Sequence, residues 1–267
     1  VTRSFVSTLV GIAIDKGYIK SVSQSIWDFF PKDKTANMDA RKEAITIENL
    51  LTQKSGLNIT WDEDFNFYRL VDENANWVQL MLDKPMQSQP GTAYLDLDSH
   101  SHLLSALIQN ASKMSTLDFA TKYLFEPLGI SDATWLADPQ GVNTGGDHLY
   151  MSPADMAKLG YLYLHGGQWD GKQIVSAEWI NNSIRSLIPG DRWNVGYLWW
   201  NGTVPGTEHS MFGAIPIGWQ EIWIVPDLDL VVVATNDTGY IGQTIIMTVA
   251  NAITSDQSLP VNSAAAN

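Results

Sequence analysis

Near residue 190 the hydrophobic pattern of this chain changes its period. Before that point apolar residues recur every three to four positions, as they do on one face of a helix; after it they run in short extended blocks. Residues 1–16 place Phe5, Leu9, Ile12 and Ala13 at helical spacing, with Gly17 where a helix stop belongs. SVSQSIWDFFP reads as a short helical turn stopped by Pro31, and ITIENLLTQKSGL as an extended start, a helix and a Ser-Gly stop. Further helices are predicted over Asn74–Lys84, SHLLSALIQNAS, STLDFATKYLFEPLG and SAEWINNSIRS. SPADMAKLGYLYLHGG adds one whose start carries a Ser152/Asp155 capping pattern. VGYLWW, HSMFGAI, QEIWIVP and LDLVVVATND then read as consecutive strands, GQTIIMTVANAI as a closing helix and LPVNSAAAN as a tail. Helices and strands segregated in this way predict an α+β fold with an antiparallel sheet.

Composition narrows the function classes. The 267 residues are 45% hydrophobic and 17% charged, so the chain buries a core rather than remaining a disordered tail. A net charge of −13 repels phosphate backbones and argues against nucleic acid as a partner. With no cysteine there is no disulfide, thiolate metal site or cysteine nucleophile. No segment approaches the roughly 18–20 apolar residues of a membrane-spanning helix. His100 and His102 alternate, but no His-Glu-x-x-His pattern exists, and neither a metal nor a cofactor is expected. Asp62, Glu63 and Asp64 read as a solvated acidic loop, and Gly145-Gly146-Asp147-His148 as a simple turn.

Six phrases occur in a telling order: LLTQKSGL (50–57), PGTAY (90–94), HLLSALI (102–108), FEPLGI (125–130), MSPADMAKLGYLYLHGGQWDGKQIVSAEWI (151–180) and IVPDLDLVVV (224–233). Together with the opening helix they resemble the serine β-lactamase-like family of class C β-lactamases, D-alanyl-D-alanine carboxypeptidases and esterases. The resemblance implies a β-lactamase/transpeptidase-like arrangement, with an antiparallel sheet flanked by helices and a helical lobe beside it. One domain over 1–267 is expected, with the lobe at about 20–190, the sheet and C-terminal helix at about 191–256 and a tail at 257–267. It would lack the family's N-terminal strands, which implies an open sheet edge able to recruit a second copy into a homo-oligomer. The resemblance further implies a small-molecule ester, amide or β-lactam substrate and a periplasmic or secreted location.

The family's chemistry uses three elements, and this chain departs from each. In Ser-x-x-Lys a lysine one turn beyond the serine takes its proton. Aligned on Val1-Thr2-Arg3-Ser4-Phe5, the serine would precede Val1 and Arg3 holds the lysine position. Arginine cannot act as the base, since its guanidinium keeps its proton far above neutral pH. Ser4 and Ser7 have no lysine three residues later. In Tyr-x-Asn, counting from Pro90 and from His102 puts Asp96 at the tyrosine and Asp98 at the asparagine. A shifted reading uses Tyr94-Leu95-Asp96 instead. On the oxyanion strand Ile217 takes the Lys/His/Trp place, Gly218 matches, and Trp219 replaces a glycine, where it either closes the pocket or covers core. Arg3 and Asp96 are expected to form an ion pair in place of the catalytic contact. Two functions follow: a serine acyl hydrolase by lineage whose nucleophile is not among these residues, or a catalytically inactive relative that binds or supports.

Overall fold

The structure is a computed structural model that describes residues 1–64, 75–190, 193–215, 220–236 and 242–253. Its axis is helix α1 (Thr2–Asp15), buried continuously from Thr2 to Ala13. A helix apolar on every side must run through the interior, and TRSFVSTLVGIAID does so. Among its polar side chains, the Thr8 hydroxyl donates to the Ser4 carbonyl at 2.8 Å and lies 3.0 Å from the Tyr163 hydroxyl. Gly11 lets the Trp179 ring lie against the backbone, since a Cβ there would stand 2.4 Å from the ring. Gly17, at φ +76°, ends the run in the left-handed region that glycine enters without cost.

Short helices surround α1, and the sequence marks most of their starts. Asp39 caps α2 (Ala40–Glu43), Thr46 and Asn49 form a capping box on α3 (Ile47–Leu51), and Asn76 caps α4 (Trp77–Leu82). Helix α5 (Asp98–Ser112) packs along α1. Helix α6 (Thr116–Ala120) passes into a π-type turn at Thr121–Phe125. Ser152 caps α7 (Pro153–Leu164) and Ser176 caps α8 (Ala177–Ser183). Two small hairpins, β1 (Thr134–Trp135) with β2 (Leu149–Tyr150) and β3 (Gln168–Trp169) with β4 (Lys172–Gln173), were not predicted, because two-residue strands leave no alternation to read.

The predicted sheet is an antiparallel meander of β5 (Asn194–Val195), β6 (Trp200–Thr203), β7 (Ser210–Ala214), β8 (Gln220–Val225) and β9 (Leu230–Thr235), in that order. Helix α9 (Gly242–Ala252) closes the described chain. Alternate residues face opposite ways, so Ile222 and Ile224 join the main core with α1, while Trp223 and Val225 join Ile246 and Ala250 of α9. The sheet therefore lies between helices. Gly160 lets α7 sit close on β8 and β9, where a Cβ would meet Val231 at 2.5 Å. Beyond β9 no further strand pairs among the described residues. VGYLWW is not one strand: only its end residues pair, and Leu198 turns the backbone at φ +62°. Asn74 and the C-terminal tail lie outside the described residues.

Candidate functional site

The N-terminal ends of α1 and α5 lie side by side, which brings residue 3 to residues 96–98. Arg3 is buried, and its Nη1 donates to Asp96 Oδ1 while its Nε stands 3.4 Å from Asp98 Oδ1. Its guanidinium carbon lies 5.1 Å from the Trp200 ring centroid. Burial works against the cation, but Asp96 first and Asp98 second outweigh it and hold Arg3 above its ordinary pKa. The expected ion pair is thus present, with Asp98 as a third member.

A polar relay holds Asp96 in place. Gln53 Nε2 donates to Asp96 Oδ1 at 3.0 Å, which fixes the orientation of the amide. Its Oε1 then accepts from the Leu97 backbone at 2.8 Å and lies 3.0 Å from His100 Nδ1. Since that oxygen can only accept, Nδ1 carries the ring proton, and Nε2 accepts from the Ser55 hydroxyl at 2.6 Å. Burial, and then the charge of Arg3, push the His100 pKa down to about 3, so the ring is neutral.

Asp64 is not the solvated loop residue that its neighbours suggest. Leu97, at the cap position of α5, has no side-chain acceptor to offer. Asp64 supplies it from elsewhere in the chain, accepting from the Asp98 and Ser99 backbones at 2.6 and 2.9 Å. It is buried, and burial raises its pKa, to which the charge of Asp98 adds.

The Gly145–His148 stretch is also more than a turn. A Cβ at Gly145 would stand 2.0 Å from the Ser101 carbonyl oxygen, and one at Gly146 2.4 Å from the Asp98 Cβ. Two glycines are what allow this loop to lie on the first turns of α5, and they bring Asp147 and His148 to the same place. Burial raises the Asp147 carboxyl, which lies 2.5 Å from His148 Nδ1.

These pieces enclose a cavity of about 930 Å³, whose walls include Arg3, Asp64, Asp96, Asp98 and Asp147. Trp61, Trp77 and Tyr150 add rings, and Val1 also lines it. Tyr94 is half-buried and is not among the lining residues. Burial, then Asp96, raise its pKa, which disfavours a phenolate. Ser4 donates to the Leu198 carbonyl at 2.7 Å, and Ser7 is wholly buried, so neither hydroxyl faces the cavity. Ile217, Gly218 and Trp219 lie outside the described residues. His100 and His102 diverge, the second lying 3.2 Å from Asp138, and no group of acidic and histidine side chains among the described residues could hold a metal.

The Beta-lactamase family profile matches residues 1–252, nearly the whole chain. The chain belongs to the beta-lactamase family. Among curated relatives, the 6-aminohexanoate-dimer hydrolase of Paenarthrobacter ureafaciens is 21% identical over 259 residues, covering 87% of this chain and 64% of that protein. A Bacillus anthracis protein provisionally named as a 6-aminohexanoate-dimer hydrolase has a TM-score of 0.77 at 16% identity, covering 94% of this chain and 70% of its own. The octameric penicillin-binding protein homologue of Pyrococcus abyssi has a TM-score of 0.71 at 21% identity, covering 93% and 63%. This beta-lactamase-family chain therefore spans less than two thirds of the curated relative's length. At such identities the solved structures establish the fold, which is the β-lactamase/transpeptidase-like α+β arrangement.

Proposed function

We propose that this chain is a beta-lactamase-family hydrolase scaffold whose cleft binds a small molecule without turning it over through an acyl-enzyme. The carrying observation is the Arg3–Asp96–Asp98 cluster at the lysine, tyrosine and asparagine positions of the family pattern. An activated serine needs a neighbour that can accept its proton. Arginine does not deprotonate near neutral pH, and its carboxylate partners bind its proton more firmly still. Asp96, at the tyrosine position, is engaged by Arg3 and Gln53.

A second reading has one observation in its favour. Val1 lines the cavity, so a residue joined to its amino group would stand at the cavity wall. A serine there would be the nucleophile of an esterase or amide hydrolase, in keeping with the hydrolase name of the curated relative. Intact mass after fluorophosphonate treatment of the full gene product separates the two. No adduct on folded protein supports the binding role; one stoichiometric serine adduct overturns it in favour of the hydrolase. Self-association through the side of β9 that no described strand pairs accompanies either reading, in keeping with the octameric state of the Pyrococcus protein. A lone monomer in sedimentation velocity would remove it.

A further inference from the structure

The charge of the cleft is not balanced. Four carboxylates, Asp64, Asp96, Asp98 and Asp147, line it against the single guanidinium of Arg3. Arg3 answers Asp96 and, at 3.4 Å, Asp98. The backbone amides of Asp98 and Ser99 answer Asp64. Asp147 has His148 beside it, but among the described residues no lysine or arginine lies within ion-pair distance. An anionic ligand entering here would meet repulsion from several sides.

The mouth carries an independent signal. Among the described residues only six large apolar side chains are strongly exposed, and three of them line this cavity: Trp61 at 51%, Leu136 at 52% and Tyr150 at 52%. Apolar side chains left in water around one concavity mark a surface that a ligand covers. Two of the three are aromatic, and their ring faces attract cations as well as apolar groups.

We infer that the cleft takes an organic ammonium ligand: a primary amine on an apolar body, its charge against Asp147 and Asp98 and its body against Trp61, Leu136 and Tyr150. This deepens the proposed binding role and rests on it in taking the cleft as the ligand site. Burial raises the carboxyls of Asp64 and Asp147, and the charge of Asp98 adds a smaller repulsion to each that a cation would relieve.

The test is calorimetric titration of the full chain with hexylammonium, hexanol and hexanoate, which share a body and differ in charge. Hexylammonium should bind at least about tenfold more tightly than hexanol, and hexanoate more weakly than either. Asp147→Asn should weaken hexylammonium about fivefold or more and leave hexanol unchanged. If that variant does not fold, raising salt in the wild type should weaken hexylammonium and spare hexanol. Hexanoate binding as tightly as hexylammonium, no binding of any probe, or an affinity for the amine indifferent to both Asp147→Asn and salt would overturn the inference. Fluorophosphonate labelling of the same sample keeps the two readings apart. A serine adduct removes the non-hydrolytic role and leaves a preference for amines standing; a preference for hexanoate does the reverse.

Discussion

Arg3 and Lys42 are both buried cations, and the protein treats them in opposite ways. Lys42, on α2, is fully buried, and its Nζ donates to the Ala36 and Leu82 carbonyls at 2.7 and 2.8 Å. No carboxylate among the described residues lies within ion-pair distance of it. Burial lowers its pKa, although Asp83 and Asp39 pull the other way. Arg3 is nearly as buried, touches two carboxylates, and is held above its ordinary pKa. An ammonium can be lodged among backbone dipoles because it is able to shed its proton when burial becomes costly. A guanidinium cannot, so it requires a counter-charge. On the proposed alignment, arginine in the place of the family's lysine calls for an acid nearby, and Asp96 supplies it.

Removing the acid is the harshest way to break this contrast. Asp96→Ala should cost about 3 kcal/mol in urea unfolding, since it leaves a buried guanidinium with only Asp98. The paired variant Arg3→Met with Asp96→Leu should recover most of that loss; a double variant no more stable than Asp96→Ala alone would show that the two positions are independent. Lys42→Met should cost less, about 1–3 kcal/mol, because it leaves two carbonyls without donors but strands no charge.

Proton linkage gives smaller and more graded effects. Since the folded pKa of Lys42 is depressed, the unfolded chain binds more protons as pH rises towards about 10.5, and folding is favoured in that direction. The stability of wild type relative to Lys42→Met should rise with pH on the approach to about 10.5; a flat difference would mean that the ammonium is not penalised. His100 sharpens the other side. Its pKa falls from the usual 6.5 to about 3 in the fold, so below about pH 6.5 the unfolded chain takes up a proton that the folded one refuses. Stability should drop with acid through this window by up to about 1.4 kcal/mol per pH unit on account of this group. Denaturation of His100→Gln at pH 4, 5 and 6 should show a shallower slope, and an unchanged slope would clear His100 of the effect.

The sequence made the architecture readable wherever the signal was local. Ser152 caps the helix that its Ser-x-x-Asp pattern predicts, and the change of period near residue 190 does mark the start of the meander. The Arg3–Asp96 pair was legible because two positions departed from one pattern in ways that complement each other. Asp64 was not, because the helix it caps begins 34 residues later, and nothing in Trp-Asp-Glu-Asp reports that end. The glycines before Asp147 were visible but read as a turn; only the approach of α5 shows what they make room for. VGYLWW alternates well enough for a strand, yet Leu198 turns there, and its carbonyl accepts from Ser4 on α1.

The meander pairs each strand only with its neighbours in sequence, whereas the Arg3–Asp96 contact joins residues 93 apart, and Ser4 reaches 194 residues on to Leu198. Closing a long loop costs entropy before its contacts return any stability. The order of events in folding is therefore expected to run from hairpins to the docking of α1, and the cleft should be the last part to exist. Asp96→Ala would then speed unfolding and barely slow refolding, a φ-value near 0, while a value near 1 would put the cleft in the folding nucleus. On this view an occupied cleft certifies a finished molecule, and a ligand acts as a kinetic latch on the slowest step to be undone.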